Sequence, residues 1–407
     1  MAVANRLFVV DPMCVLNYGH NPKSLVYFSD YFRGRGFECF PVACRYFKSK
    51  DPAYSDFVPH FGYYYHDTIA LPNGVAVSED APLYVSALRD ASQDLARAVL
   101  SNDRVVNQAL IDWHILFKSF DISQRDFIFF PSADYYGVLG LLLYLHHMPS
   151  NRRPEVHLRF IGVMEHARKG GGDALPAIGA ALRDVRARVT VSAEAPAYAA
   201  HLARRLRVDV ASTLYPPYDE SLAYDREAAP FIAFSAGAGR EDKGFLRLLN
   251  IARTYALSYP SDDVRFVVQN LRPGDERRHA DYMSQLYAAP NVELIAAIQS
   301  DEAMLANYRR CDISIMPYDA EVYRMRGSAV FMESIMYGRA FAISGKTGFD
   351  PLMPQFVSGA VATSDRDFCE AINATYRMDR ALREQLCHQT REAYKTYAYA
   401  ALGKIFQ

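Results

Sequence analysis

Arg240 and Lys243 stand three positions apart in the segment Ser235–Gly244, SAGAGREDKG. Small residues such as Gly239 let a backbone approach a ligand, and two cations this close can neutralise a diphosphate. A second segment, Arg326–Ser344, reads RGSAVFMESIMYGRAFAIS. Gly327 permits a tight turn, Ser328 is a good N-cap, and Gly338 is a natural stop, so a helix is expected from Ala329 to Tyr337. Its first amides, at Gly327, Ser328 and Ala329, form a positive helix end of the kind that attracts phosphate. Tyr323 and Arg326 lie just upstream, placed to assist. Glu333, about a turn and a half into the helix, is a carboxylate able to accept hydrogen bonds from ribose hydroxyls. The plain alternative is an ordinary strand–helix unit with a surface glutamate and two solvated cations.

Buried strands must carry these loops. Phe231–Ser235 is an apolar run leading into the basic loop, and a helix is expected from Phe245 to Tyr259. Arg265–Asn270 is the next strand, then Asn291–Ile295, with Ser300-Asp301-Glu302 opening a helix. Cys311–Met316 leads toward the Gly327 turn, and Ala340–Ile343 follows the helix. Each is a short apolar run bounded by turn residues. Upstream, Leu7–Val10 reads as a strand, the loop runs through Asn17–Pro22, a helix extends to about Arg33, and Phe37–Val42 is the next strand. This is a right-handed crossover unit. Its loop holds Gly19 and His20, and a lone histidine there ordinarily caps the loop. An amphipathic stretch from Pro82 to Phe117 reads as helix, and Phe127–Phe130 and Val156–Val163 as strands. The latter runs into Glu165 and His166, and ligands collect at the carboxyl ends of parallel strands. Glu165 and His166 are therefore cleft candidates. Val189–Ser192 is a strand and Pro196–Arg205 a helix. Tyr215-Pro216-Pro217-Tyr218 breaks the pattern and divides the chain into residues 1–215 and 217–387. The C-terminal segment from about Ala381 to Phe406 reads as helices.

The composition narrows the class. Half of the 407 residues are hydrophobic, 22% are charged, and the formal net charge is −1, so nothing global points to nucleic acid. The longest apolar stretch, Val138–Leu145, is far short of the ~20 residues of a membrane span. The N-terminus reads as a strand and lacks the apolar core of a signal peptide. Six dispersed cysteines without a CxxC pair fit a reduced, cytoplasmic protein. Seven Lys/Arg among the first fifty residues interleave with aromatics. They read first as a solvated basic face over an aromatic core, and second as peripheral contact with the inner face of a membrane. Phe57, Phe61, Tyr63, Tyr64, Tyr65 and His66 belong to an aromatic stretch suited to an acceptor wall. No Asp-x-Asp motif ends a donor strand, so no metal is expected, with basic side chains doing that ion's work.

The run GSAVFMESIMYGRAFAIS resembles the donor-site signature of retaining glycosyltransferases of GT-B fold, family 4 and its relatives. Glu333-Ser334 takes the place of Glu-Ala in that signature and Gly338-Arg339-Ala340 that of Gly-x-Pro. Met325 stands where many members carry a second glutamate, eight positions before the first. The Arg240…Lys243-Gly244 loop resembles the family's Gly-Arg-…-Lys-Gly loop, and Gly19-His20 a Gly-His loop found in some members. The segment Asn291–Glu302 and the strand Cys311–Pro317 also match in order.

The resemblance implies an α/β protein of two facing Rossmann-like domains with an interdomain cleft and a C-terminal helix, about residues 388–407, crossing back to the first domain. It implies a donor nucleoside-diphosphate sugar, with Lys243 and Arg240 on the leaving diphosphate and backbone near Ala297 and Ile298 meeting the base. Gly19 and His20 are expected to meet acceptor or donor from the first domain, with Glu165 and His166 also on the acceptor side. The expected reaction moves a sugar to the hydroxyl of a glycan, glycolipid or other acceptor, with retention, in bacterial surface glycan or glycolipid assembly. The alternatives are a GT-B-fold sugar-nucleotide epimerase or hydrolase, and a non-catalytic sugar-nucleotide-binding protein, which Met325 favours.

Overall fold

The computed structural model describes residues 5–17, 19–63, 69–70, 76–77, 104–162, 173–185, 188–217 and 230–407. The chain divides into two compact units. One comprises residues 1–194, 198–216 and 401–407, the other residues 195–197 and 217–400.

In the first unit, apolar runs alternate with amphipathic ones, and the runs become strands of one parallel sheet. The strands are β1 (Asn5–Asp11), β2 (Phe37–Cys44), β3 (Val58–Phe61), and β6 (Phe127–Phe130) through β9. A short pair, β4 (Ile69–Ala70) and β5 (Ala76–Val77), stands apart from it. β7 (Glu155–Phe160), β8 (Val189–Ala193) and β9 (Val210–Ser212) complete the order β3-β2-β1-β6-β7-β8-β9. Leu7 through Val10 are fully buried, as a strand covered on both faces requires.

The second unit repeats the plan with β10 (Phe231–Ser235), β11 (Val264–Gln269), β12 (Val292–Ile295), β13 (Ile313–Met316), β14 (Ala340–Ser344) and β15 (Gly359–Ala362). Their order is β12-β11-β10-β13-β14-β15, all parallel. In both sheets the chain winds outward from its first strand, then jumps back to that strand's other side. That is the Rossmann-like winding, and the jump opens a crevice at the carboxyl ends of the two central strands. In the second unit the crevice lies between β10 and β13, paired through Ala233↔Ile313 and Phe234↔Ser314. The loops leaving these two strands carry the basic segment and the Gly327 turn.

Several boundaries differ from the sequence expectations. The helix after β1 begins at His20 rather than beyond Pro22, because Gly19 takes φ 88° and turns the chain directly into it. The segment after Gly244 opens as a 3₁₀ turn, Phe245–Arg247, before the helix Leu248–Ser258. The strand from Glu155 ends at Phe160. A helix covers Arg104–Ser119, and the rest of the expected Pro82–Phe117 helix lies outside the described residues.

A single helix, Arg380–Leu402, replaces the expected set of terminal helices. Residues 401–407 cluster with the first unit. There Arg35 donates to the carbonyls of Leu402 and Ile405, at 3.3 and 3.0 Å, and the Phe406 ring meets Phe127 at 5.1 Å.

Candidate donor site

The strand β13 ends at Met316, and Tyr318 and Tyr323 behind it stack with ring centroids 4.1 Å apart. Tyr318 is buried, and its hydroxyl pairs with Ser328 Oγ at 2.8 Å. Ser328 Oγ also accepts from Phe331 N at 3.2 Å, capping the helix Ala329–Met336. The apolar sequence of that helix buries Val330, Phe331, Met332, Ile335 and Met336, with Phe331 stacked on Phe349 at 4.3 Å. Burying Phe331 contributes about 2 kcal/mol. Gly338 at φ 68° then turns the chain into β14, fully buried along its length. The first-turn amides of Ala329 and Val330 have no intrahelical acceptor, which leaves the positive end available to an anion.

The loop leaving β10 brings the cations to the same end of the sheet. Gly244 sits at φ 74°, with Pro317 O where any side chain would stand, so the position admits only glycine. This turn locks Lys243 into place. Lys243 is half-buried, and desolvation, followed by the nearby Arg240 charge, pulls its ammonium down to about 8. Asp242, Glu333 and Arg272 also lie within its electrostatic reach. Arg240 is half-exposed. Its Nε and Nη2 each donate to Asp242 at 2.9 Å, and Nη2 also donates to Tyr323 Oη at 3.0 Å. Arg326, exposed, donates from Nη1 to Asp242 Oδ2 at 3.4 Å. Arg240, Tyr323 and Arg326 therefore form one cluster around a single carboxylate, while Lys243 points toward Gly237 and Val330.

Glu333 lies on the capped helix, and Tyr308 Oη donates to its Oε2 at 3.3 Å. Its charge is felt at Lys243, so the two groups share one region. Gly239 has a packing part: its N–H donates to Asn270 O at 2.9 Å, and a Cβ there would lie 2.5 Å from the Phe245 ring. At the end of β11 the buried Gln269 donates from Nε2 to Ala297 O at 2.7 Å and fixes the turn that carries Ile298. Ile298 is 60% exposed, an apolar surface beside that turn. Met325, where the family resemblance expects a glutamate, is half-buried and supplies no charge.

The first unit has its own crevice between β1 and β6. Gly19 and His20 are exposed at the start of the helix His20–Arg33. Behind them, buried Asp11 accepts from Asn21 Nδ2 at 2.9 Å and Met13 N at 3.0 Å, which ties the helix's first turn to the strand end. Burial pushes Asp11 up to about 7 and Asp134, which accepts from Tyr63 Oη at 2.8 Å, up to about 6.

Phe57, Phe61 and Tyr63 are buried in this unit and form core rather than an acceptor wall. Tyr64, Tyr65 and His66 lie outside the described residues, as do Glu165 and His166. The basic N-terminal residues are largely spent internally: Arg6 pairs with Asp126 at 2.7 Å, Arg33 with Asp30 and Asp56, and Arg35 with backbone carbonyls. Lys48 and Lys50 stay exposed.

Sequence reasoning missed Asp242, Tyr318, Gln269 and Arg272. Asp242 sits between the two cations it was read beside, and Tyr318 follows a strand-ending proline, so both had a positional signal. Gln269 and Arg272 had none. Among the described residues, no group of three His, Cys, Asp or Glu is placed to hold a metal, and no helix is long and apolar enough to cross a membrane.

No protein-family model matches the chain, and no curated protein does. Solved structures match over the whole length. A UDP-forming alpha,alpha-trehalose-phosphate synthase from Burkholderia vietnamiensis is 10% identical at TM-score 0.62, covering 99% of this chain and 98% of its own. Sucrose-phosphate synthase from Thermosynechococcus elongatus is 14% identical at 0.60, covering 98% and 96%. An E. coli structure described as trehalose-6-phosphate bound with UDP-2-fluoro glucose is 11% identical at 0.63, covering 99% of each chain. At these identities the likeness shows the fold: two Rossmann-like units of the GT-B class, as the sequence resemblance implies.

Proposed function

We propose that the chain is a glycosyltransferase that takes a sugar from a nucleoside diphosphate and delivers it to an acceptor hydroxyl. The observation that carries this reading is the meeting of Lys243, Arg240, Arg326 and the Ser328-capped helix start at the crevice of the second sheet. A GT-B scaffold with this cation set suits a leaving diphosphate. The solved structures of like fold include UDP-forming synthases and one bound with UDP-2-fluoro glucose, which supports a nucleotide-sugar donor.

In the transfer the bond from the anomeric carbon to the diphosphate oxygen breaks, and its electron pair stays on the phosphate. The acceptor oxygen forms the new bond and releases its proton to the departing phosphate oxygen or to water. The main barrier is charge growing on the departing oxygen, and fixed cations and amides facing that charge lower it without reorganising. Lys243 and the Arg240–Arg326 pair supply the cations, and the amides at Gly327–Ala329 supply the helix end. Glu333 takes the ribose hydroxyls, and Ile298 with the backbone at Ala297 the base. Gly19 and His20 serve the acceptor side. No metal is required, because the charge it would neutralise is met by side chains. Retention of configuration and a place in surface glycan or glycolipid assembly follow from the family-4 resemblance.

Incubation with radiolabelled UDP-, GDP-, ADP- and CMP-sugars, with and without sugar and lipid-linked acceptors, tests the reading. Acceptor-dependent product supports it. Product formed without an acceptor indicates hydrolysis or epimerisation, and binding with no product indicates a non-catalytic protein.

A further inference from the structure

We propose that Asp242 sets the preference of this site between the intact sugar nucleotide and the nucleoside diphosphate left behind, holding back the more highly charged product. The inference rests on the nucleotide-sugar reading above. The Asp242 carboxylate lies in the middle of the cation set: both its oxygens accept from Arg240 at 2.9 Å, and Oδ2 also accepts from Arg326 at 3.4 Å. Arg240 Nη2 also donates to Tyr323 Oη, at 3.0 Å. The neighbouring acid, Glu241, is engaged elsewhere, 2.9 Å from His279. Asp319 N donates to the Asp242 backbone carbonyl at 2.9 Å, which holds the residue independently of its side chain. With only 23% of its side chain exposed, its charge is incompletely screened by water.

The consequence is a matter of charge count. Asp242 accepts from Arg240 and Arg326 and lies within electrostatic reach of Lys243, so it removes one unit of positive charge from the set that would face a diphosphate. A sugar nucleotide carries two negative charges, one on each phosphate. Once the sugar leaves, the terminal phosphate has a second ionisation near pH 6, so the product carries about one more negative charge at neutral pH. Without Asp242 the site would be one unit more positive, a gain that favours the more highly charged product and slows its departure. The carboxylate therefore lowers affinity for both ligands but more for the product, since repulsion scales with the ligand's charge. It also neutralises two guanidinium groups that would otherwise repel each other in the empty site.

The test is titration calorimetry of the full chain and its Asp242→Asn variant with UDP, GDP, ADP and CDP and with the glucose conjugate of each. For the base that binds, the account expects Asp242→Asn to tighten both ligands and to raise the product-to-donor affinity ratio by about fivefold at pH 7.5. At about pH 5, below the terminal phosphate's ionisation, that change in ratio should vanish. Asp242→Ser, measured alongside with melting temperatures, repeats the test should the amide variant fold poorly. A ratio that stays the same or falls, or a variant that weakens both ligands, would overturn the inference while leaving the donor site intact. A wild-type protein that binds none of the eight ligands would remove the nucleotide-sugar reading itself, and the inference with it.

Discussion

The Lys243 ammonium occupies the space that a side chain at Gly237 would fill. Gly237 has φ 83°, a Cβ there would fall inside contact distance of Lys243 Nζ, and Val330 Cγ2 would lie 3.2 Å away. One glycine thus gives the lysine its seat beside the capped helix. Gly237→Ala should cost about 1–2 kcal/mol of stability from the left-handed backbone alone. It should also displace the ammonium and weaken nucleoside-diphosphate binding. Denaturant melts and titration calorimetry measured side by side separate the two effects.

The depressed basicity of Lys243 predicts a pH dependence of binding. The free protein's ammonium titrates at about 8 because burial and Arg240 both disfavour its charge. A bound diphosphate favours the charged form and raises that value. Below pH 8 the lysine is already protonated. Above it, each binding event must take up a proton, so affinity should fall by up to tenfold per pH unit until the complex's own value is reached. Calorimetry in buffers of different ionisation enthalpy should show proton uptake at pH 9 and little at pH 7.

Ser328 holds two polar groups at once, the Phe331 amide and the buried Tyr318 hydroxyl. Loss of the cap costs about 1 kcal/mol, and stranding the buried hydroxyl adds about 1–3 kcal/mol. Ser328→Ala should therefore lower thermal stability clearly, whereas Ser328→Thr should keep most of it. Melting curves of the two variants check this.

Under the proposed function, cationic side chains do the work of a metal at the diphosphate, so chelation with EDTA should leave transfer unchanged. Added Mg²⁺ or Mn²⁺ should not stimulate it. A metal-stimulated rate would show that the cation set is insufficient.

Much of this was legible in the sequence because local signals and tertiary structure agree. The strands at Phe231–Ser235 and Ala340–Ile343 are uninterrupted apolar runs, Ser328 and Gly338 bracket their helix, and Lys243-Gly244 closes a turn that only glycine can make. What the sequence hid depends on contacts between distant segments. Nothing near Gln269 announces that its amide will hold Ala297, twenty-eight residues on. Arg240 reads as a cation open to a ligand until Tyr323, eighty-three residues away, is seen on its guanidinium. Gly239 reads as a residue for close ligand approach, yet the Phe245 ring fills the space over it. The aromatic stretch misled for a related reason: composition cannot tell an aromatic wall from an aromatic core, and Phe61 and Tyr63 face inward.

The central claim is that Lys243 receives the diphosphate of a sugar nucleotide, and titration of the wild-type chain and Lys243→Ala with UDP-, GDP- and ADP-sugars tests it most directly. A charge-assisted hydrogen bond contributes about 1.5–3 kcal/mol, so at least one donor should bind the wild type and lose about ten- to a hundredfold in affinity in the variant. Equal affinities in the two proteins, or no binding by the wild type, would contradict the account.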